Sequence, residues 1–301
     1  MLDAGSASGL MARPSRGERP LRARLRTAGL PLVLLAPSLL LIAVLFLYPL
    51  ARLVAESVTE PRLSLANYIS TVRDPILWQI ILITLEIAAE CTVVTLMLAY
   101  PLASLIASLP KRPARLLLLG VMLPFWTSLL VRMYAWMVLL GRHGVINQAL
   151  IASGIVDSPL RLMNDRFGVV VGMSHYLLPF MVLSLYSTMI GIDRRLLEAA
   201  SSMGSSTLQA FCRVYLPLSL PGVYSGSLLV FILSLGFYVT PALLGGPSDT
   251  TIPVYVEQQV ELLNWGQATA MSMVLVVVVV LLFILYDRLL GFERIFRGIA
   301  T

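Results

Sequence analysis

Charge is what this sequence has least of. Of its 301 residues, 13% are charged and 58% are hydrophobic, whereas a soluble domain carries about 25% charged residues. So little polar cover cannot clothe a water-soluble globule, which excludes a soluble enzyme, a secreted soluble protein and a disordered chain together. Cysteine is scarce as well. Cys91 and Cys212 are the only two; they cannot build a disulfide scaffold and are expected to be free thiols. Two histidines beside two cysteines leave no legible metal-ligand cluster. The phosphate-cradling run GxxxxGK[ST] is missing, and no nucleophile–base arrangement is present, so the chain is not expected to be an enzyme by itself. Lysine is nearly absent: Lys111 is the only one among 22 basic residues. The pI near 9.6 fits basic loops on one side of a membrane better than nucleic-acid binding.

Long apolar runs fill the space that charge leaves. A membrane helix needs about 20 apolar residues, and six stretches meet that: 30–51, 75–109, 116–141, 167–192, 218–245 and 265–286. The unbroken run Val276 to Val280 favours a strand in water, but in lipid a lone strand leaves its backbone unsatisfied, so helix is expected. Residues 1–29 are rich in Gly, Ser, Pro and Arg, read as a basic tail without fixed structure. The first apolar run is longer than a signal-peptide core and is read as an uncleaved helix. With the N-terminus inside, fifteen basic residues fall on the cytoplasmic side and six outside, with Arg132 within a span. That bias predicts both termini in the cytoplasm. The last outer loop, 249–261, has three acids and no base. Residues 30–295 are thus one all-α integral membrane domain.

The stretch 193–217 between the fourth and fifth spans carries the most information. It reads Glu198-Ala199-Ala200, three residues, Gly204, nine residues, then Val214-Tyr215-Leu216-Pro217. Asp193 is a candidate N-cap and Gly204 a candidate stop for a short helix between them. The small residues Ala199, Ala200 and Ser201 let a partner backbone approach closely. Pro217 and Pro221 are expected to break the chain into the fifth span. The pattern resembles the EAA motif of binding-protein-dependent ABC import permeases, with Val214 where that motif usually has Ile. The resemblance implies a type I ABC importer permease fold with six transmembrane helices in the bacterial inner membrane. It also implies that this helix is a coupling helix docked in a groove of an ATPase subunit. Glu198, Ala199, Ala200, Gly204, Leu216 and Pro217 are then the coupling residues.

Further stretches narrow the resemblance. Leu123-Pro124-Phe125-Trp126-Thr127-Ser128 with Val131-Arg132 and Tyr134-Ala135-Trp136 is similar to the third span of spermidine/putrescine-type permeases. So are Gly236 to Pro241, Leu244-Gly245-Gly246, and Asn264-Trp265. The likeness covers 30–295 and points to the first-subunit kind of that type. It implies a polyamine solute, a second homologous permease, two ATPase subunits, a periplasmic solute-binding protein and surrounding lipid, with no nucleic acid. This chain is expected to bind no cofactor or metal; ATP and magnesium would sit in the partner ATPase.

Charge within a span costs about 2.5–3.5 kcal/mol per residue on insertion scales, so it marks a pathway or a pair. Glu86 and Glu90 lie four apart on one helix face. They are candidates to attract a cationic solute; pairing with a partner permease, with Arg132 or with His175 is the alternative. Arg132 is read as a gate or structural residue, but an anionic solute would make it the natural contact. Trp126, Tyr134, Trp136, Tyr176, Phe237 and Tyr238 offer aromatic faces for ammonium groups, although an interfacial belt or helix packing is the commoner role for any single one. Pro101, Pro124, Pro179 and Pro241 are hinge candidates, although membrane helices tolerate proline. The alternatives are an ABC permease for an amino acid derivative or an anion, and an ion-coupled secondary transporter using Glu86 and Glu90.

Overall fold

The computed structural model describes residues 35–59, 66–193 and 195–290. The expected tail 1–29 and the start of the expected first span, 30–34, lie outside the described residues. Every element among the described residues is helical. Among the described residues six stretches are long and apolar enough to cross a membrane: Leu35–Thr59, Pro75–Ser108, Leu129–Ala152, Arg166–Met189, Thr207–Leu235 and Trp265–Tyr286. The chain divides into two units at Leu53. Most of α1 (Leu35–Thr59) belongs to the first; it widens into a π turn over Ala43–Leu47.

The second unit holds the rest. It begins with α2 (Ala66–Arg73) and the long α3 (Pro75–Ser108). Asp74 starts α3 by accepting the Ile76 N–H at 2.9 Å, and Pro75 occupies the first turn, where its missing N–H costs nothing. Then come α4 (Lys111–Met122), α5 (Leu129–Leu140) and the short α6 (Val145–Ala152). Buried Asn147 ties the loop after α5: its amide nitrogen donates to the carbonyls of Gly141 and Leu160, and its oxygen accepts the Leu160 N–H at 2.9 Å. Next are α7 (Arg166–Met189), α8 (Arg195–Ser202), α9 (Thr207–Leu235), α10 (Val239–Leu244), α11 (Ile252–Glu261) and α12 (Trp265–Leu290).

The core is a packed trio of α3, α7 and α9. Ile87, Cys91, Ala99, Ala103 and Ile106 of α3 meet Met173, Leu177, Met181 and Leu185 of α7, with Val230 of α9. Lipid tails are as apolar as leucine, so close packing rather than a hydrophobic drive must hold such helices together. Gly222 and Gly226, four apart on α9, provide it. A Cβ at Gly222 would stand 2.8 Å from Thr188 Oγ1, and one at Gly226 would stand 2.7 Å from Met181 Sδ. Between these contacts the Ser184 and Ser225 hydroxyls share a hydrogen bond of 2.8 Å. A second cluster, Leu77, Ile80, Ile81, Ile252 and Met271, seats α11 and α12 on the first turns of α3.

Two expectations about helix boundaries change. The stretch 116–141 is not one helix: α4 stops at Met122, a 3-10 turn covers Leu123–Trp126, and Thr127 and Ser128 are extended before α5. Pro124 supplies no N–H to the turn before it, which ends the α4 ladder there. Conversely, Pro217 and Pro221 do not break the chain. A π turn over Phe211–Tyr215 leads directly into helix, with the Leu216 N–H reaching back to the Phe211 carbonyl, and α9 continues through both prolines. The wider turn has already shifted the bonding pattern where Pro217 arrives.

Candidate functional site

The short helix α8 is built as its local sequence directs. Asp193 accepts the Arg195 N–H at 2.9 Å. The other end closes with Gly204 N–H on the Ser201 carbonyl at 3.0 Å and Ser205 N–H on the Ala200 carbonyl at 3.1 Å. That double closure needs a left-handed residue, and Gly204 has φ +86°. Ala200 turns inward and is buried, while Glu198, Ala199, Leu196 and Met203 are exposed. Ser206 and Gln209 then cap the start of α9 reciprocally. Between α8 and the adjoining ends of α3, α7 and α9 lies a cavity of about 460 Å³, lined by Glu198, Ser201, Ser104 and Tyr215 among others. Leu216 and Pro217 directly follow the π turn within the continuous helix α9.

In the first half of α3 (Pro75–Ser108), well inside the helix, Glu86 and Glu90 find a partner that spacing did not reveal. Arg166, the first residue of α7, reaches Glu86 at 2.5 Å and Glu90 at 3.4 Å, and its Nε lies 4.0 Å from Asp249. A cation at a helix N-terminus opposes the helix dipole, so the carboxylates account for its place. Asp249 is buried and also accepts the Gly246 N–H at 3.3 Å. The cluster has three carboxylates around one guanidinium. The side chains of Glu86 and Glu90 remain 58% and 43% exposed.

Arg132 sits elsewhere, on the first turn of α5 beside the break that follows α4, and is 8% exposed. Its Nη2 donates to the Pro124 carbonyl, to the Thr127 carbonyl at 3.2 Å and to Thr127 Oγ1 at 3.1 Å. The side chain runs back toward the start of its own helix, as helical side chains do. Its guanidinium lies over Tyr176, 5.5 Å from the ring centroid. Tyr176 packs on Phe237 at 4.9 Å, and Phe125 on Phe180 at 4.9 Å. Trp136 donates to His175 Nδ1 at 3.3 Å on the adjacent turn. The fold therefore brings together Arg132, Trp136, Tyr176 and Phe237 from the expected set and adds Phe125, Phe180 and His175. It does not bring Trp126, which is 88% exposed, nor Tyr134, also exposed. Tyr238 stands apart near Glu257 and Glu261. Among the described residues no three His, Cys, Asp or Glu are arranged to hold a metal ion.

This helical architecture, with a capped EAA helix between the fourth and fifth spans, has known counterparts. The family model for the binding-protein-dependent transport system inner membrane component matches residues 5–292. The chain belongs to this family. The permease is 36% identical over 255 residues to the spermidine/putrescine transport system permease protein PotB of Haemophilus influenzae, covering 84% of this chain and 87% of that one. PotB of Escherichia coli is 36% identical over 226 residues, 75% of this chain and 82% of the relative. The inner membrane ABC transporter permease protein YdcU of Escherichia coli is 30% identical over 249 residues, 78% of this chain and 79% of the relative. Among solved structures, a chain of a bacterial alginate ABC transporter bound to a periplasmic protein carrying an alginate pentasaccharide aligns with a TM-score of 0.73. It is 16% identical and covers 90% of this chain and 96% of that one, a likeness of fold. The protein is thus a multi-pass inner-membrane permease subunit of an ABC transporter.

Proposed function

We propose that this permease takes a polyamine, such as spermidine or putrescine, from a periplasmic binding protein and passes it into the cytoplasm by ATP-driven alternating access. It works beside a second homologous permease and two ATPase subunits that hold the ATP and magnesium. The observation that carries the coupling half is α8. It is a short helix pinned at both ends, and it presents Glu198, Ala199 and Leu196 outward next to a cavity at the ends of three core helices. Such a rod can pass a push from a docked partner into α3, α7 and α9, with Gly204, Leu216 and Pro217 setting its link to the fifth span. The basic-residue bias supports cytoplasmic termini, which puts α8 inside and the Arg166 cluster outside. On this reading the chain divides into a tail 1–29, a permease domain 30–295 and a coupling loop 193–217, whose last residues belong to α9.

The solute half rests on the relatives named for spermidine and putrescine transport and on two features of this chain. Glu86 and Glu90 are exposed within the length of the second span, where lipid would penalise them. They therefore face water or the partner permease, and their cluster keeps an excess of carboxylate for a cation. Trp136, Tyr176 and Phe237 add aromatic faces deeper along the path. In the working cycle, ATP closes the ATPases, the push on α8 opens the paired permeases outward, and solute enters from the binding protein. Hydrolysis then reopens the path inward.

The test is Glu198→Lys in the reconstituted transporter. Uptake is expected to fall at least tenfold while ATP hydrolysis continues and the permease accumulates normally; intact coupling would sink the role of α8. For the solute, the ligand retained by the co-purified binding protein is identified by mass spectrometry. A di- or polyamine upholds the reading, and an anion overturns it.

A further inference from the structure

The break between α4 and α5 has the chemistry of a cation seat, and a cation already sits in it. The Pro124 carbonyl, the Thr127 carbonyl, the Thr127 hydroxyl and the face of Tyr176 all converge on the Arg132 guanidinium. None of the four is an anion. Two amide oxygens, a hydroxyl and an aromatic face suit the three N–H bonds of a primary ammonium as well as they suit a guanidinium. The seat exists because the helix is interrupted. In a continuous helix the Pro124 carbonyl would accept from residue 128; here the Thr127 N–H takes it at 3.2 Å in a tighter turn, and room remains for Arg132.

The segment that forms the seat is itself exposed around the covered guanidinium. Phe125, Trp126, Thr127 and Ser128 are all exposed, and the backbone at Thr127 and Ser128 is extended. Thr127 lies near the middle of the apolar run 116–141, whose one charge is Arg132, and a run of that length reaches across a membrane. Non-helical backbone persists at membrane depth only where protein covers it or a water-filled cavity meets it. Unwound carbonyls at such breaks are a recurrent way to hold cations in membrane transporters.

We propose that Leu123–Ser128 is a solute station on the transport path, that it takes a primary ammonium or guanidinium group, and that Arg132 is a tethered occupant which the solute displaces. The identity of the solute rests on the polyamine reading; the seat itself does not. While Arg132 fills the seat, it covers the Tyr176 face beneath it, so a cation reaches that face only in exchange for it.

The test uses the whole purified transporter carrying Arg132→Ala, with ethylguanidinium and putrescine as probes. The vacated seat is expected to bind both saturably at millimolar concentration, seen as a rise in the unfolding midpoint at least tenfold larger than in the unsubstituted protein. Adding Tyr176→Leu should weaken that binding at least fivefold. No cation-dependent shift would overturn the proposal and leave Arg132 as a structural cap. Should Arg132→Ala fail to assemble, Arg132→Lys serves, because lysine fills the same seat without the planar fork. The KM for solute is then expected to fall several-fold, an effect cancelled by Tyr176→Leu, and an unchanged KM overturns the proposal. A seat that takes ethylguanidinium but not putrescine upholds the proposal and overturns the polyamine reading, so the two fail separately. A Thr127→Cys variant that stays unreactive toward a charged thiol reagent in every nucleotide state would place the break against the partner permease and remove it from the path.

Discussion

Arg132 and the Glu86–Glu90 pair both put charge within a membrane span, and the fold answers them in different ways. Arg132 is met by its own neighbourhood: the oxygens that hold it lie five and eight residues earlier in the chain, and the side chain is almost wholly covered. The two glutamates are met from far away, by Arg166 on another helix and with Asp249 from a later loop on the same guanidinium, and about half of each remains exposed. Local satisfaction produces a fitting around a covered side chain that one stretch of sequence can specify. Distant satisfaction depends on three elements having packed first, and it leaves the cluster with more carboxylate than guanidinium. The first makes a seat already filled by a cation of its own chain, and the second leaves a surface with carboxylate to spare.

The sharpest way to break this comparison is Arg166→Met. It leaves buried Asp249 and the two glutamates facing one another. Removing one member of a buried ion pair costs about 3–5 kcal/mol, but Arg166 is one-third exposed, so a loss of about 2 kcal/mol is expected. The check is the unfolding midpoint of the purified transporter. Adding Glu86→Gln and Glu90→Gln should recover much of the loss, because it removes the repulsion that Arg166 had relieved. A neutral result would mean that water screens these charges and that the distant pairing is incidental.

The local side is tested by Thr127→Val, which keeps the shape of the side chain and removes its oxygen. Arg132 loses one acceptor and the Pro124 carbonyl loses the hydroxyl donor at 2.8 Å. About 1 kcal/mol is expected, read from the same midpoint. An effect larger than that of Arg166→Met would reverse the order and make the break the more critical structure.

The same division explains what could be seen in the sequence. The ends of α8 were legible because Asp193 and Gly204 act within a few residues of themselves. The expectation of six apolar spans likewise needed only run length. The pairing of Glu86 with Arg166 was not legible, since eighty residues separate them and Arg166 counts as an ordinary loop cation until α7 is placed. Proline was ambiguous for a related reason. Pro101 and Pro179 lie within continuous helices, whereas Pro124 ends one. An apolar run carries no mark of which outcome neighbouring helices and side chains will support. A signal that was present and overlooked is Gly222 with Gly226: small residues four apart are a readable mark of close helix packing.

The smallest effects probe local closure where no charge is involved. Gly204 and Leu263 both end a helix in the left-handed conformation, with φ of +86° and +59°. Both endings are closed the same way, for the Leu263 N–H reaches the Val260 carbonyl at 2.9 Å and the Asn264 N–H the Gln259 carbonyl at 2.9 Å. Glycine adopts that conformation freely, while a side chain raises its energy by about 1–2 kcal/mol. Leu263 is 76% exposed, so little burial within this chain offsets that strain. Gly204→Ala is therefore expected to lower stability by about 1 kcal/mol, and Leu263→Gly to raise it by slightly less, since glycine also gains freedom in the unfolded chain. Opposite shifts of the unfolding midpoint would establish that local geometry alone governs both ends. A loss of stability from Leu263→Gly would instead show that the exposed leucine is held by something outside the chain, by lipid or by a partner, and would move this end to the distant side of the comparison.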